Sequence, residues 1–294
     1  MEFNHTAAAI TGHTRLGGLL GSPVAHSISP MMHNDSFRAL GLDCVYLCFD
    51  VGPEKLGDVV SAFRSMNVYG FNLTMPDKEA VLPYLDELSL AARLIGAVNT
   101  VKQENGKLTG YNTDGTGYMK AVKDAGYDVT GQEMTLLGAG GAASAIAVQA
   151  AIDGVSHLHL VSRRGRSWEK AARLVERINQ KTACQADLTD LADTVTLGRL
   201  LERSALLTNA TSVGMAPDTD ATPIPDPALF HPGLVVSDVI YNPKETRLLA
   251  EAKAAGCPTF NGMYMLLYQG EAAFKIWTGQ DMPVEQIRER YFRG

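Results

Sequence analysis

The sequence predicts an α/β protein of two domains, and three observations support this fold class. Short apolar runs alternate with helical stretches along most of the chain. A strand expected at residues 134–137 leads directly into a glycine turn and an alanine-rich helix, which is typical of a Rossmann-type, doubly wound dinucleotide-binding fold. The chain has 294 residues, which is long for one hydrophobic core and suits two domains of roughly 100–200 residues each.

The front of the chain is expected to form an α/β domain of its own. Its predicted elements are strands at residues 15–20, 44–49 and 70–74, helices at 30–40 and 53–66, and a strand pair at 97–102 and 107–111. The strand pair flanks Glu104-Asn105-Gly106, and an Asn-Gly step between apolar runs favours a β-hairpin.

The rest of the chain is expected to form the dinucleotide domain and a helical end. A helix at 116–125 crosses to this domain, whose predicted strands lie at 134–137, 157–162, 205–209 and 234–238. Nearly all of them are short apolar runs typical of parallel sheets. Helices at 263–278 and 283–292 follow, and we expect them to fold back onto the front domain. The predicted division is residues 1–115 with 263–294 for the substrate and 116–262 for the dinucleotide, with a cleft between them.

Composition narrows the choice of partners and compartment. The net charge of −6 disfavours nucleic acid or an anionic membrane as the main partner. The four cysteines lack metal-binding spacing and lie in apolar surroundings, so we expect reduced, buried thiols in a cytoplasmic protein. Residues 1–14 lack the pattern of a signal peptide, and no apolar run reaches the roughly 18 residues of a membrane span. We expect these residues to form a short, loosely held leader.

The glycine turn has the residues that a pyrophosphate site needs. Gly138 makes the bend, Gly140 lets backbone amides approach the pyrophosphate, and Ala142 allows the helix to pack closely on the strand. Ala139 and Gly141 complete the turn, and the N-terminus of the helix supplies partial positive charge. The alternative is a tight turn with a purely structural function.

The end of the next strand indicates which dinucleotide binds. Ser162 is followed by Arg163, Arg164 and Arg166, where an NAD site offers an acidic residue to the ribose 2′-hydroxyl. Arginines can pair instead with a 2′-phosphate, which favours NADP. A solvated basic turn before a helix is the structural alternative.

Two polar stretches of the front domain are candidates for the chemistry. Residues 70–78 end a strand with Asn72 or Thr74 and turn at a proline before Lys78, and residues 110–117 place Asp114 among glycines. A lysine and an aspartate that face one cleft can exchange a proton with a substrate hydroxyl while a nicotinamide accepts or donates hydride. A surface lysine and an N-cap aspartate are the alternative.

Six motifs in chain order carry a resemblance to a known family. They are residues 22–30, 72–78, 96–100, 112–117, 138–142 and 265–269. Through them the chain resembles the shikimate dehydrogenase family over residues 15–292. Residues 110–118 and 266–279 are similar to the quinate/shikimate branch of that family.

The resemblance implies a substrate site made largely of uncharged polar groups. Ser27 and Ser29 are implied to hydrogen-bond the substrate carboxylate, whereas without the family both could equally be helix N-caps. The expected partners of the ring hydroxyls are Thr74, Asn99 and Gln269, with Tyr241 nearby. Plainer alternatives are an Asn99 that closes a turn and a Gln269 on a helix surface.

The resemblance also assigns the proton transfer and the nicotinamide side. Lys78 is implied to be the acid/base, with Asp114 orienting it and the reacting hydroxyl. The implied wall of the nicotinamide site consists of Asn209, Thr211, Val213, Val239 and Gly262. Without the resemblance, Asn209 could simply end a strand.

Departures from the family pattern bear on specificity. Members of the quinate/shikimate branch that accept NAD resemble an Asn-Arg-Arg-Asp pattern, whereas here Gly165 follows the paired arginines, so the loss of the acid favours NADP. Thr74 is the residue usual in the biosynthetic branch, which favours shikimate as the substrate. Met263 and Tyr264 stand where smaller residues are commoner beside the nicotinamide.

The main hypothesis is therefore reversible NADP-linked oxidation of shikimate to 3-dehydroshikimate, a step of chorismate and aromatic amino-acid biosynthesis. It places the enzyme in the cytoplasm and requires no metal, while use of NAD and a homodimer stay open. One alternative is a quinate/shikimate dehydrogenase that uses NAD as well. The other is a non-catalytic regulator that binds quinate or shikimate, which the presence of both Lys78 and Asp114 disfavours.

Overall fold

The computed structural model describes residues 10–224 and 226–292, so most of the leader expected at residues 1–14 lies outside the described residues. Contacts within the chain divide it into two compact units. The first unit takes in the chain up to Ala92, Gly96–Thr113 and the chain from Gly270 onward. The second unit takes in Arg93–Ile95 and Asp114–Gln269.

A six-stranded mixed sheet forms the centre of the first unit. Its strands are β1 Arg15–Gly21, β2 Cys44–Asp50, β3 Gly70–Leu73, β4 Glu87–Leu88, β5 Thr100–Glu104 and β6 Lys107–Tyr111. Their order is β2-β1-β3-β5-β6-β4, and β5 runs antiparallel to both of its neighbours. Asn105 and Gly106 join β5 to β6 with positive φ angles of 52° and 78°, as a type I′ turn requires, so the predicted hairpin is confirmed.

The second unit contains a six-stranded sheet in which every pair is parallel. Its strands are β7 Glu133–Leu137, β8 His157–Ser162, β9 Gln185–Asp190, β10 Leu206–Asn209, β11 Val235–Asp238 and β12 Thr259–Phe260. The order β12-β11-β10-β7-β8-β9 is the Rossmann order, and the strand order reverses between β7 and β10. The predicted dinucleotide-binding fold class is confirmed.

Helices alternate with these strands. They are α1 Ser29–Ala39, α2 Pro53–Ser65, α3 Asp77–Ala80, α4 Leu90–Ile95, α5 Asp114–Asp124, α6 Gly141–Ile152, α7 Trp168–Lys181, α8 Thr194–Arg203, α9 Arg247–Ala254, α10 Met263–Thr278 and α11 Val284–Tyr291. Two 3₁₀ turns cover Leu82–Tyr84 and Pro227–Leu229. Proline stands in the first turn of α1 and of α2, where its missing N–H costs no helical hydrogen bond.

The end of the chain packs into the first unit. Trp277 on α10 donates from Nε1 to the carbonyl of Val101 on β5 at 2.9 Å. Phe274 stacks on Phe37 of α1, with 5.3 Å between ring centroids. The hydroxyl of Tyr291 on α11 hydrogen-bonds the carboxylate of Asp35 on α1. These contacts hold the two last helices against α1 and the sheet.

Three strands of the structure were not among the predicted ones. β9 forms an edge of its sheet, and its sequence Gln-Ala-Asp-Leu-Thr-Asp lacks the apolar run of a buried parallel strand. β4 and β12 have two residues each and also lie at sheet edges. Edge strands are paired and covered on one side only, so little in their composition distinguishes them from loops.

The burial of the cysteines agrees only in part with the expectation from composition. All four cysteines are free, and Cys184 and Cys257 are buried. Cys44 and Cys48 are only half-buried, contrary to expectation, because they lie on the edge strand β2. Within residues 10–224 and 226–292, no helix is both long and apolar enough to cross a bilayer.

Candidate functional site

The first substrate-side residues lie where the chain enters α1. Ser27 and Ser29 are both half-buried, and the Oγ atom of Ser27 accepts a hydrogen bond from the backbone N–H of Ser29 at 3.2 Å. The N-cap position of α1 is Ile28, which makes no side-chain cap. Neither serine is therefore the N-cap of α1, and the hydroxyl of Ser27 makes only a local turn with the backbone of Ser29.

Thr74 and Lys78 follow strand β3 closely. Thr74 is half-buried, its N–H donates to the carbonyl of Leu20 on β1 at 2.9 Å, and its own carbonyl closes the turn by accepting from Asp77. Lys78 is half-buried on the short helix α3. Between them, Asp77 has no accessible surface, and neither of its carboxylate oxygens has a hydrogen-bond partner among the described residues. Burial raises the pKa of this carboxyl.

Asn99 is held by a buried polar network that sets its side-chain orientation. Its Nδ2 donates to Thr113 Oγ1 at 2.9 Å, and its Oδ1 accepts from the N–H of Thr113 at 2.8 Å and from Thr100 Oγ1 at 2.9 Å. Its carbonyl accepts from Asn72 Nδ2, whose Oδ1 in turn accepts from the hydroxyl of Tyr46. Asn72 therefore supports Asn99 from the interior, and Thr74 is the more accessible of the two candidates at the end of β3.

A backbone hydrogen bond places Lys78 beside the residue that precedes Asn99. The carbonyl of Lys78 accepts a hydrogen bond from the N–H of Val98 at 2.8 Å. The structure thus places two of the predicted substrate contacts at one end of the first unit's sheet. Asp114 belongs to the second unit.

Asp114 is the first residue of helix α5, and two glycines after it let that helix approach its neighbours. A Cβ atom on Gly115 would lie 2.2 Å from the carbonyl oxygen of Ala145 on α6, and one on Gly117 would lie 2.4 Å from the backbone nitrogen of Gln269 on α10. Glycine is needed at both positions because the obstructing atoms are backbone. Asp114 sits in the first turn of α5, where the helix dipole favours a carboxylate.

Gln269 and Tyr241 differ in how firmly they are held. Gln269 is half-buried on α10, and its Nε2 donates to the carbonyl of Leu266 at 3.0 Å. Tyr241 is 52% exposed in the loop after β11. The close packing of α5 on α10 at Gly117 places Gln269 beside the helix that begins with Asp114.

The glycine turn has the geometry expected of a phosphate-binding loop. Gly138 follows β7 with a φ of 115°, and an added Cβ would lie 2.9 Å from the carbonyl oxygen of Ala210. Gly140 caps α6 without a side chain, and neither Gly140 nor Gly141 has another atom within 4 Å of an added Cβ. The first N–H groups of an α-helix lack intrahelical partners, so this open turn can offer them to an anion.

The three arginines after β8 do not share one environment. Arg164 donates from Nε to Asp190 Oδ2 at 3.0 Å, and its guanidinium lies 4.5 Å from the ring centroid of Trp168. Arg163 and Arg166, like Arg164, are exposed. Asp190 ends the edge strand β9 in register with Ser162, so the structure places a carboxylate beside the arginines. A search confined to the end of β8 misses Asp190, because it lies 28 residues further along the chain than Ser162.

Asn209 is the centre of a buried network at the end of β10. Its Nδ2 donates to the carboxylate of Asp238 at 3.1 Å, and its Oδ1 accepts from the N–H and the hydroxyl of Thr211 at 3.0 and 2.7 Å. The hydroxyl of Thr211 accepts from the N–H of Val213 at 3.1 Å. The network shapes the loop that carries Thr211 and Val213, so Asn209 acts from beneath this loop.

Asp238 is a buried acid that the sequence analysis did not single out. It also accepts from the N–H of Ile240 at 3.0 Å and from the hydroxyl of Thr246, the N-cap of α9, at 2.8 Å. Burial raises its pKa to about 6, although its hydrogen bonds act in the opposite direction. Its position at the end of a parallel strand would have been the signal, because ligands bind at that edge of such sheets.

The backbones of Gly262 and Val239 approach each other closely. A Cβ atom on Gly262 would lie 2.0 Å from the carbonyl oxygen of Val239, so only glycine fits. The N–H of Val239 donates to the carbonyl of Asn209 at 2.9 Å. Met263 and Tyr264 follow at the start of α10, and both are half-buried.

These features define a dinucleotide-binding protein of the Rossmann class, and comparisons with known proteins narrow this to a family. The model of the shikimate dehydrogenase substrate binding domain matches residues 19–101, and that of the shikimate 5'-dehydrogenase C-terminal domain matches residues 262–290. The chain is 50% identical over 289 residues to shikimate dehydrogenase (NADP(+)) of Listeria monocytogenes, which covers 98% of this chain and 99% of the relative. The chain belongs to the shikimate dehydrogenase family.

Solved structures agree with this assignment. A crystal structure of shikimate 5-dehydrogenase from Listeria monocytogenes in complex with shikimate and NAD has a TM-score of 0.93 and 51% identity, over 95% of this chain and 97% of that one. Quinate dehydrogenase from Corynebacterium glutamicum in complex with NAD has a TM-score of 0.84 and 31% identity, over 95% of this chain and 99% of that one. The similarity therefore extends over both units.

Proposed function

We propose that this protein catalyses the reversible NADP-dependent oxidation of shikimate to 3-dehydroshikimate. The observation that carries the proposal is the 50% identity, over 98% of the chain, to an NADP-dependent shikimate dehydrogenase. In the cell this reaction would serve chorismate and aromatic amino-acid biosynthesis in the cytoplasm, with a homodimer as the assembly to be tested.

The proposal assigns the substrate to residues 1–115 with 263–294 and the dinucleotide to residues 116–262. Hydroxyl and amide groups would bind the substrate: Ser27 and Ser29 its carboxylate, and Thr74, Asn99 and Gln269 its ring hydroxyls, near Tyr241. Support comes from the network that fixes Asn99 and from the close packing that positions Gln269. Pre-oriented groups of this kind bind a small polyol at a lower entropic cost than mobile side chains.

The residues of the second unit fit NADP. The open N-terminus of α6, formed by Gly138, Ala139, Gly140, Gly141 and Ala142, would hold the pyrophosphate. Ser162 and the guanidinium groups of Arg163, Arg164 and Arg166 would hold the 2′-phosphate. The nicotinamide would lie against Thr211, Val213, Val239 and Gly262, with Asn209 supporting them. The chemistry supplied by bound NADP is acceptance or donation of hydride.

Lys78 and Asp114 would manage the proton. In the oxidation direction, the amine of Lys78 takes the proton from the hydroxyl whose carbon is oxidised, and in the reduction direction its ammonium returns that proton to the oxygen. The carboxylate of Asp114 orients the lysine and the hydroxyl by accepting hydrogen bonds from both. The half-buried side chain of Lys78 supports this role, because part of it is accessible to a small ligand.

A second candidate function is dehydrogenation with NAD as well as NADP. The specific observation that favours it is Asp190, which ends β9 in register with Ser162 and neutralises Arg164. A carboxylate in this region can accept a hydrogen bond from a ribose 2′-hydroxyl. The similar Listeria monocytogenes structure contains shikimate and NAD.

The test is the initial rate of NAD(P) reduction by the purified protein, with shikimate and quinate each assayed against NAD and NADP. A preference for shikimate with NADP supports the main proposal. Comparable rates with quinate and NAD support the second candidate. Absence of turnover in all four assays, with shikimate binding intact by calorimetry, would overturn both and favour a non-catalytic regulator.

A further inference from the structure

Two histidines and an aspartate meet on one face of the second unit's sheet, away from the proposed dinucleotide site. His157 and His159 are two residues apart on β8, so their side chains point to the same face. Asp187 on β9 is in register with His159. The three residues occupy the amino-terminal part of these strands, whereas Ser162 and the arginines lie at the carboxyl end.

The potential ligand atoms of this cluster are close together. His157 Nε2 and His159 Nδ1 lie 2.9 and 2.8 Å from Asp187 Oδ2, and all three atoms lie within 4.8 Å of one another. The two imidazole rings stack with 4.4 Å between centroids. The other carboxylate oxygen of Asp187, Oδ1, is buried and has no hydrogen-bond partner among the described residues.

Residues behind the cluster fix the orientation of the buried histidine. His159 has a side chain that is 1% exposed, and its Nε2 lies 3.1 Å from Glu133 Oε2 on β7. Glu133 Oε1 accepts from Arg203 on α8 at 2.7 Å. A carboxylate that holds the second nitrogen of an imidazole is the usual support of a metal-binding histidine, because it fixes the ring and raises its basicity.

We propose that His157, His159 and Asp187 form a binding site for Zn²⁺. Two imidazole nitrogens and one carboxylate are a common zinc ligand set, and a water molecule can complete a tetrahedral site. Bonds of about 2.0–2.2 Å place tetrahedral ligand atoms roughly 3.4 Å apart. Each of the two imidazole nitrogens must therefore move about 0.5 Å further from Asp187 Oδ2. His157 and Asp187 have side chains that are 27% and 42% exposed, which leaves them room to move and gives water access.

The site is separate from the proposed hydride transfer, and its effect is structural. An ion bound by these ligands would join β8 to the edge strand β9. Both nitrogens must offer a lone pair to the ion, so the protons that they donate to Asp187 pass to water on binding. The hydrogen bond between His159 and Glu133 is retained, because it uses the other ring nitrogen.

The experiment is isothermal titration of the full-length, tag-free, chelator-treated protein with ZnCl₂. We expect one ion per chain, and binding at least tenfold weaker in His157→Gln and in Asp187→Asn. His13→Gln is the matched control, because His13 is an exposed histidine outside the cluster, and it should bind as the parent does. Equal shikimate–NADP rates without zinc would verify that the variants are folded.

A second measurement makes the test independent of the heat signal. Co²⁺ in place of Zn²⁺ should give the intense visible absorption of a four-coordinate site in the parent and in His13→Gln, and lose it in His157→Gln. Zinc binding in His157→Gln that equals the parent's would overturn the proposal. So would a parent that takes up no zinc, in which case the cluster is a hydrogen-bond network only.

Discussion

Lys78 is the residue on which the proposed chemistry depends most. It lies on a four-residue helix, and its carbonyl accepts a hydrogen bond from Val98, the residue before Asn99. Replacing Lys78 with Ala should lower kcat for shikimate oxidation by about 10²–10⁴-fold and change KM for shikimate only a few-fold, because the group acts on the proton in the transition state. Steady-state rates with saturating NADP measure this.

Lys55→Ala is the matched control for this prediction. Lys55 is exposed on α2 of the same unit, and its loss should leave both constants unchanged. A Lys78→Ala enzyme with a large rise in KM and the parent's kcat would contradict the acid/base role and make Lys78 a binding residue.

Arg163 tests the choice of dinucleotide at the same scale. Its exposed guanidinium would pair with the 2′-phosphate, which NAD lacks. Arg163→Ala should raise KM for NADP at least tenfold more than KM for NAD, in line with about 1.5–3 kcal/mol for a charged hydrogen bond. Arg173→Ala, which removes an exposed arginine of α7, is the control. An equal rise for both dinucleotides would contradict the assignment.

Asp190 should act in the opposite sense. Its carboxylate holds Arg164 and adds negative charge beside the proposed 2′-phosphate position. Asp190→Asn keeps the size and removes the charge, so KM for NADP should fall several-fold while KM for NAD does not fall. The loss in stability should be at most about 1 kcal/mol, because the ion pair is partly exposed. Asp43→Asn, at an exposed site in the other unit, is the control and should leave KM for NADP unchanged. A rise in KM for NADP in Asp190→Asn would refute the prediction.

Gly117 shows how a helix, rather than a single side chain, positions the site. Helix α5 approaches α10 so closely that a Cβ at Gly117 would lie 2.4 Å from one backbone nitrogen and 2.7 Å from the carbonyl oxygen of Met265. Gly117→Ala must therefore separate two helices. We expect destabilisation by about 1–3 kcal/mol and a higher KM for shikimate, since Gln269 moves with α10.

The control is the same substitution in another helix. Gly198 lies in α8, and its added Cβ would meet only a side-chain atom, Leu229 Cδ2, at 3.3 Å. Gly198→Ala should change stability by less than about 1 kcal/mol, because helix propensity compensates for the tight contact. Urea unfolding and steady-state kinetics give both results; similar effects of the two substitutions would show that close helix approach is not the cause.

The stability of the whole molecule in acid should depend on His33. This residue has no accessible surface, lies 4.6 Å from the ring of Tyr46 and 5.2 Å from that of Trp277, and has no hydrogen-bond partner for either ring nitrogen among the described residues. Burial lowers its pKa to about 3. The unfolded chain therefore takes up a proton as pH falls through about 6.5, while the folded chain does not until pH approaches 3.

Stability contributed by the neutral His33 is thus complete above pH 6.5 and is lost between about pH 6.5 and pH 3. Between pH 7 and pH 4 the loss is on the order of 3 kcal/mol, and His33→Leu should remove it. Trp277 fluorescence in a Trp168→Phe background follows the first unit during urea unfolding. This fluorescence signal distinguishes the effect of His33 from that of Asp238 in the second unit. The raised pKa of Asp238 acts oppositely, because it adds stability as pH falls below about 6. Parent and His33→Leu proteins with the same acid dependence would contradict the prediction.

Much of the fold could be predicted from the sequence, because its signals are local. The Asn105-Gly106 turn, the alternating leucines of β8 and the glycine turn after β7 each depend on residues close together in the chain. The polar edge strand β9 could not be predicted, because its own residues resemble a loop. It is a strand because it pairs with β8, which is far from it in the chain.

The candidate site divides in the same way. Residue types at short spacings were enough to predict the α/β class, the Rossmann glycine turn and the family. The folded chain was needed to reveal that Asp190 pairs with Arg164, that Asn72 hydrogen-bonds the backbone of Asn99, and that α10 packs closely against Gly117. These relations join residues far apart in the chain, and strand register, burial and backbone approach set them; no local pattern contains that information.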